Sequence, residues 1–196
     1  MAEKPQLTRR GQERREKLLA YATARFAENG FHPTSVSEIV DGVGVGKGAF
    51  YWYFDSKDEL LEEILRDSLR DLRSFQASAI ADATDPLQRL EAGIRASIQW
   101  SATNTDIIKL VMFSWSEESF AAVMRKGRDV LVADTSRLIE QAADLGQIME
   151  GNPTMMAIAL RAIIDELAKE YALSNGEIDP EMVETAVRMC LRGLKG

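Results

Sequence analysis

The chain has 196 residues, 45% hydrophobic and 28% charged, which fits one large or two small soluble domains with a sizeable core. No run of about 18 apolar residues is present to span a membrane, and the charged start MAEKPQLTRRGQERREK is unlike a secretory signal. The net charge of −7 is unevenly spread: residues 1–59 hold nine basic and nine acidic side chains, residues 60–196 fifteen and twenty-two.

Hydrophobic residues recur at 3.6-residue spacing throughout, which predicts an all-α fold of about nine helices. The first, 9–29, ends at Gly30, and its neighbourhood is basic: Lys4, Arg9, Arg10, Arg14, Arg15, Lys17 and Arg25 face only Glu3, Glu13 and Glu16. That asymmetry suits either a nucleic-acid-binding end or a solvated helix start. Two short helices follow, 36–43 and 47–54, the first opened by the capping box Ser35-Val36-Ser37-Glu38. Ser56-Lys57-Asp58-Glu59 opens a long helix over 57–81, whose Leu61, Ile64, Leu65, Leu69 and Leu72 should pack on the rest of the chain. Asp85-Pro86 starts a helix over 86–103, and another spans 105–113. Ser114-Trp115-Ser116-Glu117 reads as the cap of a helix over 117–145, which Gly146 stops. Asn152-Pro153 and Asp179-Pro180 start the last two, 153–174 and 180–194. The domain boundary is expected at residue 56, giving domains 1–56 and 57–196.

The two short helices and their turn at Gly44 have the outline of a helix-turn-helix. Val36, Ile39, Val40 and Val43 form the inner face of the first helix, while Phe50 and Phe54 anchor the second. Lys47, Gly48, Tyr51, Trp52 and Tyr53 then face outward. Lys47 can neutralise a phosphate, Gly48 admits close backbone approach, and the tyrosines can donate to phosphate oxygens. Core packing of Tyr51, Trp52 and Tyr53 is the competing reading, but three consecutive helical residues cannot all point inward.

The stretch from Leu18 to Leu65 resembles the TetR (tetracycline repressor) family of bacterial regulators. The resemblance rests on Leu18, Ala22, Phe26, Gly30-Phe31, Thr34-Ser35, Ile39, Gly44-Val45, Lys47-Gly48, Phe50-Tyr51, Phe54, Ser56-Lys57 and Leu60-Leu61 in order. It implies that Lys47, Gly48, Tyr51, Trp52 and Tyr53 lie on a DNA-recognition helix. It further implies that Thr34 or Ser35 meets a phosphate, that Ser37 reaches a base, and that Lys57 holds the DNA backbone from the other side. Two residues depart from the pattern: Gly46 stands where Ser or Thr is usual, and Ala49 where Thr is common.

Other chemistries find little support. Gly42 to Gly48 is rich in glycine, but Asp41 and Gly48 occupy positions where a phosphate-binding loop needs Gly and Ser or Thr. Gly44, Gly46 and Ala49 fit a dinucleotide fingerprint only by spacing, without the strand that motif requires. With His32 and Cys190 as the only histidine and cysteine, no triad or His/Cys metal cluster is expected, and no cofactor. Cys190 cannot pair within the chain, which suits a reducing cytoplasm.

In the second domain, Trp100, Met112, Phe113, Trp115, Phe120, Met124, Met155 and possible polar anchors Arg161, Asp165 and Glu166 could line an apolar ligand pocket; equally, the apolar ones could be ordinary core. The final helix carries one apolar stripe, with Val183, Val187, Cys190 and Leu191 expected at a dimer interface, as the resemblance also implies. The sequence therefore reads as a cytoplasmic DNA-binding regulator, a repressor acting as a homodimer on a palindromic operator and released by an apolar small molecule. The alternatives are a ligand-independent regulator and, from a different class, a helical enzyme or carrier.

Overall fold

The computed structural model describes residues 8–174 and 179–195. Among these there is no strand, and the fold is all-α. The helices are α1 (Arg9–Asn29), α2 (Val36–Val43), α3 (Lys47–Tyr53), α4 (Lys57–Ala79), α5 (Pro86–Thr103), α6 (Thr105–Ser116), α7 (Ala121–Asp144), α8 (Pro153–Ser174) and α9 (Pro180–Lys195), with a 3-10 turn at Glu118–Phe120 before α7. They fall into two compact units, residues 1–65 and 66–196. The division lies inside α4, beyond the boundary expected at residue 56, because Leu60, Leu61, Ile64 and Leu65 are all buried.

Caps set most helix starts. Ser35 accepts a hydrogen bond from the Glu38 N–H (3.1 Å) and Ser56 from the Glu59 N–H (3.0 Å). Asp85 accepts from Gln88 N (2.9 Å), Asn152 from Met155 N (3.1 Å) and Asp179 from Glu181 N (2.9 Å). Each bond satisfies an N–H that the helix itself leaves without a partner. One expected cap fails: Ser114 is buried inside α6, its hydroxyl without a hydrogen-bond partner, and α6 continues to Ser116.

The N-terminal unit is built on aromatics. Phe26 meets Phe31 edge to face at 5.1 Å, and Phe50 meets Phe54 at 5.6 Å. Leu18, Ala22, Ile39, Val40 and Tyr53 complete the buried set of α1 to α3. The Arg15 guanidinium bonds Glu63 at 2.7 Å and lies over the Phe54 ring, tying α1 to the opening turns of α4.

In the C-terminal unit, α5, α7, α8 and α9 share one core, including Ile94, Ile139, Leu160 and Val187. A second cluster joins Leu72 of α4 to Trp100, Ile108, Ala168 and Ala172. Burying each large aliphatic side chain contributes roughly 1.5–3 kcal/mol. The α9 stripe belongs to the first core. Val183, Val187 and Cys190 are buried within the chain, so the expectation that they form a dimer surface is corrected; Leu191 packs partly buried against the same core. Burial also raises the Cys190 thiol pKa, so it packs as a small apolar group.

Candidate functional site

Helix α3, at seven residues the shortest α-helix described, has an inner and an outer face. Phe50 and Tyr53 point inward, whereas Tyr51 and Trp52 are 54% and 52% exposed. Lys47 and Gly48 are also exposed, so residues 47, 48, 51 and 52 form one outward face. A Cβ placed at Gly46 or Gly48 would meet nothing within 4 Å, leaving the front of the helix open. Gly44 makes the turn into α3 possible: its φ of 74° is left-handed, and its N–H closes α2 on Val40 and Asp41 carbonyls. Gly46 then caps α3 without a side-chain bond, as the missing hydroxyl would require.

Three expected DNA contacts sit elsewhere. Tyr53 is buried, because it lies on the Phe50 side of α3. Thr34 is wholly buried, and its hydroxyl donates to the Gly30 carbonyl at 2.8 Å, fastening the α1–α2 loop. Lys57 donates from Nζ to the carbonyls of Phe31 (2.7 Å), His32 (3.2 Å) and Thr34 (2.9 Å), and sits 4.3 Å from the Phe31 ring centre. An ammonium has three donors. All are engaged, so Lys57 fixes the loop rather than reaching a phosphate. Burial pushes its pKa below the ordinary lysine value. Ser35 remains exposed and Ser37 half-buried, both at the start of α2.

The residues expected to line a ligand pocket do not gather. Trp100 is buried with its indole N–H donating to Asp71 Oδ2 at 2.6 Å, and Met112 packs beside it. Phe120 and Met124 are core, and Phe113 meets Phe120 at 6.3 Å. Trp115 and Met155 are exposed, as are Asp165 and Glu166, which pair with Arg161 and Lys169 of their own helix. A cavity of the C-terminal unit lies elsewhere. It measures about 470 Å³ between α4, α5, α7 and α8 and is lined by five arginines together with aliphatic and neutral polar side chains. Arg70 and Arg73 share one stretch of α4, but Arg89, Arg137 and Arg161 lie far apart in sequence, so no local signal announces the group. Arg161 is the one anchor expected from sequence that does line it.

Among the described residues, no three His, Cys, Asp or Glu side chains gather as a metal site, and no helix is long and apolar enough to cross a membrane. Residues 18–64, the segment carrying α2 and α3, match the family described as bacterial regulatory proteins, tetR family. Over that segment the chain is similar to the TetR family. KstR2 of Mycobacterium tuberculosis (H37Rv), named an HTH-type transcriptional repressor, is 38% identical over 86 residues, which is 44% of this chain and 43% of that protein. The match thus spans less than half the length of such relatives. FasR of Mycolicibacterium smegmatis, named a transcriptional activator, is 29% identical over 187 residues, covering 93% of this chain and 83% of that one. The fold matches the fatty acid degradation regulator FadR from Bacillus halodurans with a TM-score of 0.86 at 16% identity, covering 97% and 98% of the two chains. Both of these relatives are named as HTH-type transcriptional regulators.

Proposed function

We propose that the chain is a DNA-binding transcriptional regulator that inserts α3 into a DNA groove and responds to a small molecule in the α4–α8 cavity. The observation that carries this reading is the outward face of α3. It combines a cation, an open glycine and two exposed aromatics on a helix pinned from behind by Phe50. Lys47 neutralises a phosphate, Tyr51 donates to phosphate oxygen, and Trp52 presents an apolar edge to thymine methyls. Ser35 and Ser37 supply hydroxyls at the start of α2. Repression of a palindromic operator in the cytoplasm is the form of regulation proposed.

A homodimer is part of the proposal, but its surface is reassigned. With Val183, Val187 and Cys190 inside the subunit, the exposed faces of the last two helices are what support it. Met155, Ala159, Ala162 and Leu173 line the outer side of α8, and Met182, Met189 and Gly193 that of α9. Apolar and small residues at helical spacing let a second copy approach closely. A two-fold dimer presents recognition helices about 34–36 Å apart when half-sites lie one turn apart.

Selection of bound sites from random duplex DNA is the test, followed by titration of the winner. A palindrome is expected. Lys47→Ala should weaken binding to all sequences and lower the salt slope by about one counterion. An unchanged salt slope would remove α3 from the interface.

A further inference from the structure

We propose that the α4–α8 cavity binds an amphiphile with an anionic head and an apolar tail, rather than a neutral apolar molecule. Arg70 and Arg73 of α4, Arg89 of α5, Arg137 of α7 and Arg161 of α8 line it, and the only acid in the lining is Asp134. That aspartate is shared, bonding Arg73 at 2.7 Å and Arg137 at 3.5 Å. Arg70 and Arg161 pair along their own helices with Asp67 and Asp165. Arg89 has no acidic partner among the described residues, and its Nε is buried without a hydrogen-bond partner.

Five guanidiniums from four helices meet three carboxylates, Asp67, Asp134 and Asp165, which leaves cations in excess around the cavity and Arg89 without an acid of its own. Like charges so placed repel unless an anion enters, and a buried N–H without an acceptor is unfavourable until one arrives. The arrangement reaches from rim to interior: the Arg70 and Arg137 side chains are mostly exposed, whereas that of Arg161 is 12% exposed. Leu90, Ile94, Leu160 and Ile164, all buried, give the same cavity an aliphatic lining beside the neutral Gln76 and Ser97. Guanidinium matches a carboxylate or phosphate through paired N–H donors, and the aliphatic lining takes a hydrocarbon chain. A volume of about 470 Å³ lies within the range of sites for such molecules.

The inference rests on the proposed ligand response only for its effect on DNA; binding is measured alone. The full chain is titrated calorimetrically with dodecanoate, dodecanoyl-coenzyme A and the neutral methyl dodecanoate, and thermal unfolding is followed with each. One or both anions should bind and raise Tm, with affinity falling as salt rises, while the methyl ester binds at least about tenfold more weakly. Dodecanoate alone identifies a carboxylate site; the thioester alone identifies a phosphate-bearing head. Arg89→Gln should lower anion affinity about tenfold or more, and Arg89→Lys should recover part of it. Far-UV circular dichroism checks that each variant is folded. Absence of binding by either anion, equal binding of the methyl ester, or an unaltered Arg89→Gln overturns the inference. DNA binding is assayed in parallel. Operator binding without anion binding leaves the regulator reading intact and removes this one, and the reverse result does the opposite.

Discussion

Lys57 illustrates how a side chain's neighbours decide its role. A lysine opening a helix beside a recognition module resembles a phosphate contact, yet its ammonium is held by three loop carbonyls and faces the Phe31 ring. Lys57→Met keeps much of the stem but removes those bonds and the cation over the ring. The expected cost is about 1–3 kcal/mol, nearer the lower end because the group stays partly solvated. Chemical denaturation would record it. The salt slope of DNA binding should stay as in the wild type, since no phosphate contact is removed. A slope reduced by about one would return Lys57 to the interface. Such residues could not be assigned from sequence, where Thr34, Tyr53 and Lys57 look as available as Ser35, Trp52 and Lys47. Only folding decides which of them turns inward.

At the scale of the element, the turn at Gly44 controls how α3 is presented. A Cβ there would meet no other atom, so the demand is purely conformational: φ of 74°. Gly44→Ala should cost about 1–2 kcal/mol, the strain of a left-handed residue bearing a side chain. Gly46→Ala is the control without conformational strain, with φ of −79° and open space; the weaker N-cap is offset by the stiffer unfolded chain, so its cost should be the smaller of the two. Equal effects in thermal melts would refute the conformational account. The elements were legible because their signals act within one turn: Ser35, Ser56, Asp85, Asn152 and Asp179 each cap where they stand. The junction near residue 117 was not, since Ser114 carries a cap's pattern but is buried in α6. The cavity was invisible for the opposite reason. Its arginines come from four helices, and nothing local to Arg89 foretells Arg161.

For the whole molecule, the α9 stripe shows what periodicity leaves undecided. A row of apolar residues predicts burial, not the identity of what covers it. Here α5 and α8 of the same chain cover it, and the Arg95–Glu184 pair joins α5 to α9 beside it. Two substitutions separate the subunit's own core from the proposed dimer surface. Val187 is 2% exposed, so Val187→Glu should unfold the C-terminal unit by burying a charge without a partner. Met189 is 63% exposed, so Met189→Glu should leave circular dichroism and the thermal transition of the subunit largely unchanged. Sedimentation should then show a monomer, with weaker operator binding because two half-sites no longer act together. A folded Val187→Glu monomer would reverse the two assignments. Sedimentation of Met189→Glu as a dimer would move the surface elsewhere.

The indole of Trp100, enclosed and bonded to Asp71, has an optical consequence. The chain carries three tryptophans: Trp52 on α3 and Trp115 at the end of α6, both about half-exposed, and Trp100, enclosed. Replacing two of them at a time by phenylalanine leaves a single emitter. Trp52 alone would glow at long wavelength, open to iodide quenching and shielded by a duplex. Trp100 alone would emit further to the blue, tracking the α4–α5 contact through its carboxylate bond. The molecule thus contains its own dyes, and α3 and the α4–α5 contact can each be read without a label.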